Sequence, residues 1–171
     1  MPVTRLSRNH QKRYDGFVNT SRDPAELIVD FVNTLDVEEG TDALGSAKAF
    51  SSWAGQAQSA GELRKARDLR AYLRTLASGQ APDGELHVPV VVALTGGAAS
   101  LGARTLVGEV AVAVAQVALD GRLERIKICP ADDCRWAFYD QSKNKSRSWC
   151  SMQVCGNRAK ARSHRERASG G

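Results

Sequence analysis

The apolar positions of this chain repeat with two different periods, and the change of period divides it into elements. In 24–36, Leu27, Phe31 and Leu35 recur four apart, with Ile28 and Val32 beside them, which is one apolar stripe of a helix. Asp23 is placed to cap it, Pro24 suits the first helical position, and Glu26 sits three after the cap. An acidic, loop-like stretch covers 37–45. Ser46–Ala54 reads as a short helix anchored by Phe50 and Trp53 and ended by Gly55. Ser59-Ala-Gly-Glu62 is a capping box. Behind it Leu63, Ala66, Leu69, Leu73 and Leu76 keep helical spacing as far as Gly79, a natural stop. Lys65, Arg67, Arg70 and Arg74 fall on the other faces of this helix, where a charge run is ordinarily a solvated face.

The helical pattern then breaks. Gln-Ala-Pro-Asp-Gly is a turn, His87–Leu94 is β-branched and apolar, and Thr95–Gly102 is a second turn. A short β-hairpin is expected here, with Pro89 marking an edge strand. From Thr105 to Leu119 the chain is rich in Ala and Val, with Val107, Val110, Val114 and Val117 three or four apart. A strand competes for this segment because Val is a poor helix former, but its length favours a buried helix. Arg122–Cys129 alternates and runs straight into the first cysteine. So short and apolar a connection docks the cysteine-bearing segment on the helical body.

All four cysteines lie in the C-terminal third, as Cys129-x4-Cys134 and Cys150-x4-Cys155 with fifteen residues between the pairs. Two close pairs of soft thiolates suit one tetrahedral, structural Zn²⁺. A module of about forty residues cannot bury enough apolar surface to fold alone, so the metal would supply much of its stability. Pro130 and Asp132-Asp133 suit a knuckle between the first two thiols. Arg135–Asp140 reads as a strand, Gln141–Ser148 as a polar turn, and the residues after Cys155 as a helix. The order is that of a treble-clef-like ββα finger, with Trp136, Phe138 and Trp149 as its small core. Thiolates flanked by Lys and Arg are also prone to oxidation, which makes a redox switch an alternative or companion role.

Charge sharpens this picture. Residues 1–121 carry 12 Lys/Arg against 14 Asp/Glu, whereas residues 122–171 carry 12 against 5. A basic C-terminal third on a neutral-to-acidic body points to a polyanion such as double-stranded DNA. The candidate contacts are Lys143, Lys145 and Arg147 in the polar turn, and Arg158, Lys160, Arg162, Arg165 and Arg167 on the terminal helix. Arg158, Arg162 and Arg165 share one helical face, suited to a row of phosphates. One small finger buries little surface, so a homodimer reading two half-sites is expected. Docking on an acidic protein partner is the alternative. A small-molecule effector between the three long helices is a further expectation.

Other classes are disfavoured. There is no nucleotide-binding loop, no His-Glu-x-x-His and no Ser/His/Asp pattern, and His10, His87 and His164 are scattered. Four thiolates would leave a zinc ion no open position for a catalytic water. No apolar run is long enough for a transmembrane helix, and the basic start lacks the apolar centre of a signal peptide, so a cytoplasmic protein is expected.

Cys134–Arg162 resembles the CGNR zinc finger, named for Cys155-Gly156-Asn157-Arg158. The shared features are Cys-x4-Cys, Phe-Tyr-Asp, the Ser- and Lys/Arg-bearing turn, Trp-Cys-Ser-Met and Cys-Gly-Asn-Arg-Ala-Lys-Ala-Arg. Glu26–Asp36, with the later Trp53, is similar to the start of the ABATE domain. That domain accompanies this finger in bacterial proteins described as stress-induced transcription regulators. The resemblance implies four segments: a basic arm over 1–16, a mainly α regulatory or dimerising body over 17–124, a finger over 125–168 and a tail over 169–171. One departure is Ser148, where the family often has a second arginine before Trp-Cys; the turn is one basic contact shorter.

Overall fold

A computed structural model describes residues 23–169 of the chain. The basic arm expected over 1–16 lies outside the described residues. Four helices form the body: α1 (Pro24–Val32), α2 (Ala47–Ala54), α3 (Ala60–Ala77) and α4 (Leu106–Leu119). Three two-stranded antiparallel ladders accompany them: β1 (Leu35–Asp36) with β2 (Thr41–Asp42), β3 (Val91–Thr95) with β4 (Ala98–Gly102), and β5 (Ile126–Ile128) with β6 (Ala137–Tyr139). Helix α5 (Asn157–Ser169) closes the described chain. The mainly α class is as expected, and no helix among the described residues is long and apolar enough to cross a membrane.

The first helix begins where its caps place it, with Asp23 Oδ1 accepting from Ala25 N at 2.9 Å. It stops at Val32 instead of running to Asp36. Thr34 hydroxyl donates to Phe31 O at 2.7 Å, and Thr34 O accepts from Ala43 N at 2.8 Å. The chain therefore turns into β1, and Leu35 leaves the helical stripe. The buried face is Ala25, Ile28, Phe31 and Val32, one position round from the expected stripe, with Leu27 only half-buried. Trp53 bridges two aromatics of this core, its ring centroid 6.2 Å from Phe31 and 6.5 Å from Phe50.

In α3, Ser59 Oγ accepts from Glu62 N, and Leu63, Ala66, Leu69 and Leu73 are buried as the spacing requires. Three of the arginines of α3, Arg67, Arg70 and Arg74, are engaged within the chain, although Arg67 stays exposed. Arg70 is 8% exposed and grips Asp42 through both carboxylate oxygens, at 2.5 and 2.9 Å, while donating to Thr34 Oγ1 at 3.1 Å. Arg67 donates to the carbonyls of Leu44 and Gly45 at 2.7 and 2.8 Å. The bend at 33–45 is thus fastened to α3 by guanidinium groups. The Arg70 hydrogen bonds hold the Asp42 carboxyl below its usual range, against the opposing effect of its burial.

The hairpin over 91–102 extends further than its sequence indicates, because part of the expected turn is itself strand β4. The turn is only Gly96-Gly97, with φ of 59° and 83°, the left-handed pair that a two-residue loop requires. The Ala/Val segment is helical. Leu106, Val107, Val110, Ala113 and Val117 are buried, and this burial offsets the low helix propensity of valine. Gly108 lets the base of the hairpin approach α4. A Cβ there would lie 2.7 Å from Ala103 Cβ and 3.2 Å from Pro89 O. The body core does not end with the helices, since Ile126, Ile128 and Ala137 of β5–β6 belong to the same buried cluster.

Arg70→Ala strands a half-buried carboxylate and should lower unfolding stability by roughly 2–3 kcal/mol. Lys65→Ala removes an exposed pair with Glu62 and should cost less than about 0.5 kcal/mol. Urea denaturation of both variants tests this contrast; equal midpoints would contradict it.

Candidate metal centre

The turn Cys129–Cys134 is a tight knuckle at the end of the β5–β6 hairpin. Cys129 N donates to Trp136 O at 2.8 Å, and Ala131 O accepts from both Cys134 N and Arg135 N at 3.0 Å. Arg135 takes a left-handed φ of 51° to let the chain turn back. The strand expected after Cys134 is β6, but its partner is β5, upstream of the first cysteine, so the polar segment after Tyr139 is a loop and not the far side of a hairpin. Cys155 lies on a π-helical turn, Met152–Gly156, leading into α5, and Cys150 just precedes that turn; Ser151 Oγ accepts from Val154 N at 3.3 Å. A Cβ at Gly156 would meet Met152 Sδ, the end of a flexible and exposed side chain.

Knuckle and turn bring Cys129, Cys134, Cys150 and Cys155 together, with all four sulfurs within 4.8 Å of one another. Cys150 Sγ is 3.6 Å from both Cys134 Sγ and Cys155 Sγ. A tetrahedron with Zn–S bonds of about 2.3 Å has edges of about 3.8 Å, so the four thiols fit one Zn²⁺. Cys129, Cys134 and Cys155 are buried, and Trp136 and Trp149 pack against them. His164 stands exposed on α5 and is not among these ligands.

Packing at the cluster opposes the ionisation of Cys150 and Cys155. Burial pushes Cys155 up to about 11, with Cys134 and Cys129 adding to it and Cys150 opposing it; burial and then Cys134 push Cys150 higher still. Burial also opposes ionisation of Cys129, but N–H donors from Cys150 and Ala131 outweigh it and bring that thiol below its ordinary value. A divalent cation would make the thiolate state favourable and would cross-link the knuckle to the start of α5.

The loop over 140–149 is organised by Asp140, which is fully buried. Its carboxylate accepts from Lys127 Nζ at 2.7 Å, Ser142 N at 2.9 Å and Arg147 N at 3.0 Å. Burial would raise its pKa; these donors outweigh that and hold the carboxyl far below the usual range. Lys127 Nζ also donates to Lys145 O at 2.5 Å and to Arg147 O at 3.2 Å. Arg125 donates to the carbonyls of Asp140 and Ser142, both at 2.9 Å. In the sequence Lys145 and Arg147 stand out only as candidate phosphate contacts and Asp140 only as the acid of Phe-Tyr-Asp; nothing in the pattern marks Asp140 as the hub.

The structure distributes the expected basic contacts unevenly. Arg147 turns inward, with its guanidinium 4.9 Å over the Phe138 ring and bonded to the carbonyls of Trp149 and Cys150. Lys145 pairs with Glu124. Arg158 bridges Glu38 of the β1–β2 turn at 3.3 Å and Asp133 of the knuckle at 3.4 Å. Lys143 is exposed, and so are Lys160, Arg162, Arg165 and Arg167, which succeed one another along α5.

Two residues outside the finger fasten it to the body, and sequence reasoning missed both. The Asn33 side chain pairs with β6 like a further strand, its Nδ2 donating to Ala137 O at 3.0 Å and its Oδ1 accepting from Ala137 N at 2.7 Å. Arg74 donates to Val32 O at 3.2 Å and to Arg135 O at 3.0 Å, joining α1, α3 and the knuckle.

Zinc uptake must displace protons from the thiols that burial holds protonated. Affinity should therefore fall by about tenfold or more per pH unit as pH drops from about 8 to 6. Competition against a chromophoric chelator at several pH values measures this, and a flat profile would contradict it. Asp140→Ala leaves all four thiols in place but removes the acceptor that orders the loop carrying Cys150; zinc should exchange faster and the melting temperature should fall.

Residues 125–168 match the family model for the CGNR zinc finger, and that family implies one bound Zn²⁺, which the four-sulfur cluster fits. Residues 25–127 match the model named ABATE and described as "Putative stress-induced transcription regulator". No curated protein matches the chain. The second match spans more than half of the sequence, and the chain belongs to the ABATE family of transcription regulators, with a CGNR zinc finger following its helical body.

Proposed function

We propose that this regulator binds double-stranded DNA through α5, which the zinc centre and the body hold in place like the helix of a treble clef. The observation that carries this reading is the exposure of α5. From Lys160 to Ala168 every residue is exposed, and four of those nine positions are Lys160, Arg162, Arg165 and Arg167. A helix basic on all sides gains little from packing on its own chain but can lie in a groove and neutralise phosphates. Lys143 adds a charge from the adjoining loop. Lys145, Arg147 and Arg158 contribute indirectly, by shaping the loop and fixing the first turn of α5. Two copies reading two half-sites would supply the surface that one finger lacks. An effector of the body would act at the surface groove of about 480 Å³ between the end of α3 and β5, next to the knuckle, because the space between α1, α3 and α4 is filled by fully buried side chains.

Five phosphate contacts per copy predict a slope of log affinity against log salt near about −4.5, that is about −0.9 per contact. Arg162→Ala should flatten the per-copy slope by about one unit, whereas Arg158→Ala should leave it unchanged. Fluorescence anisotropy with a duplex across a salt series measures both. Absence of duplex binding by the zinc-loaded chain at low salt would instead favour docking on an acidic protein partner.

A further inference from the structure

Among the described residues, the β3–β4 hairpin is the longest exposed apolar stretch of the body. Leu86 and Val88 pack against the core, but beyond them the chain rises into solvent. Every residue of β3 is exposed, including Val92 at 61% and Leu94 at 79%. No ionisable side chain occurs between His87 and Arg104. Natural edge strands are ordinarily blunted with charge, and an uncharged, apolar edge is a template for another strand. Among the described residues this sheet has only two strands, so both edges are open.

The register determines what the open edge offers. Thr95 and Ala98 flank the two-residue turn and are hydrogen-bonded to each other, as are Ala93 with Ser100 and Val91 with Gly102 further along the ladder. The backbone N–H and C=O groups of Val92 and Leu94 therefore point away from β4, on the free edge. The close fit of Gly108 against Ala103 and Pro89 fixes the base of the hairpin on α4, so the edge has a set direction.

We propose that this edge is the homodimer interface, with β3 pairing antiparallel to β3 of a second copy about a two-fold axis at Ala93. The geometry is self-complementary. Val92 of one copy and Leu94 of the other exchange backbone hydrogen bonds, and the two Ala93 residues meet where side chains come closest, a position that suits a small residue. The result is a four-stranded sheet whose apolar side chains cover one another. A second copy is the occupant that the surface selects. A charged partner finds no opposite charge here, and an isologous contact needs one patch that fits itself. This assigns the surface for the dimerisation in the functional reading above, yet it can be measured without DNA.

Sedimentation velocity of the zinc-loaded full-length chain, from roughly 1 to 100 µM without DNA, should show a monomer passing to a dimer, the range expected of a small interface. Leu94→Lys places charge on the interface, and Val92→Pro removes an outward N–H that the hairpin itself does not use. Each should weaken association at least about tenfold while zinc content and helical circular dichroism stay unchanged, and Val92→Thr should associate like wild type. A wild-type chain that stays monomeric throughout, or a folded Leu94→Lys that dimerises as wild type does, overturns the proposal. A dimer without affinity for duplex would reject DNA binding and leave this interface standing.

Discussion

The β5–β6 hairpin belongs to two cores at once, and the relation between body and finger depends on it. Ile126, Ile128 and Ala137 are buried with the body helices, while Cys129 and Cys134, at the end of the same hairpin, are buried with the metal cluster. A small metal module ordinarily relies on its ion alone for order. Here its first thiol pair projects from strands already held by the apolar core of the body, and the ion has only to bring the second pair to them. This makes the finger an extension of the ABATE-type body, with α1 and α3 hydrogen-bonded to β6 and the knuckle through Asn33 and Arg74.

Polar groups do the fastening because the finger has so little apolar surface to bury. The cost of burying Asp140 is met by three donors on its carboxylate, among them Lys127 Nζ. That hub fixes the loop that returns to Cys150, and Arg147 reinforces it by donating to the carbonyls of Trp149 and Cys150. In the body, Arg70 and Asp42 play the corresponding part for the bend after α1. These contacts differ from surface pairs such as Lys65–Glu62, where water competes on equal terms.

Much of the fold was legible in local signals. Caps at Asp23, Ser46, Ser59 and Thr105 sit where helices start, and glycines at 55 and 79 sit where they stop. The four thiols were legible as a unit because short pair spacing is itself a geometric statement. What the sequence concealed was tertiary. The end of α1 is decided by Thr34 and by a strand more than a hundred residues away, so periodicity alone carried the helix too far. The partner of β6 lies before the first cysteine, which spacing within the finger does not reveal. The roles of Asp140, Asn33 and Arg74 depend on pairings between distant segments, and no single residue announces a pairing.

Basic residues show most clearly why composition overstates a binding surface. The C-terminal third reads as a polycation, yet Arg125, Lys127, Lys145, Arg147 and Arg158 are all engaged within the chain. An engaged cation still adds to the long-range field that steers a polyanion inward. To meet a phosphate directly it would have to break contacts that position the loop or α5, so its gain in binding would be offset by lost order. On the proposed reading, the charges that would meet DNA are those on the exposed turns of α5 and at Lys143. The internal ones serve the fold, by fixing the loop over 140–149 and the first turn of that helix.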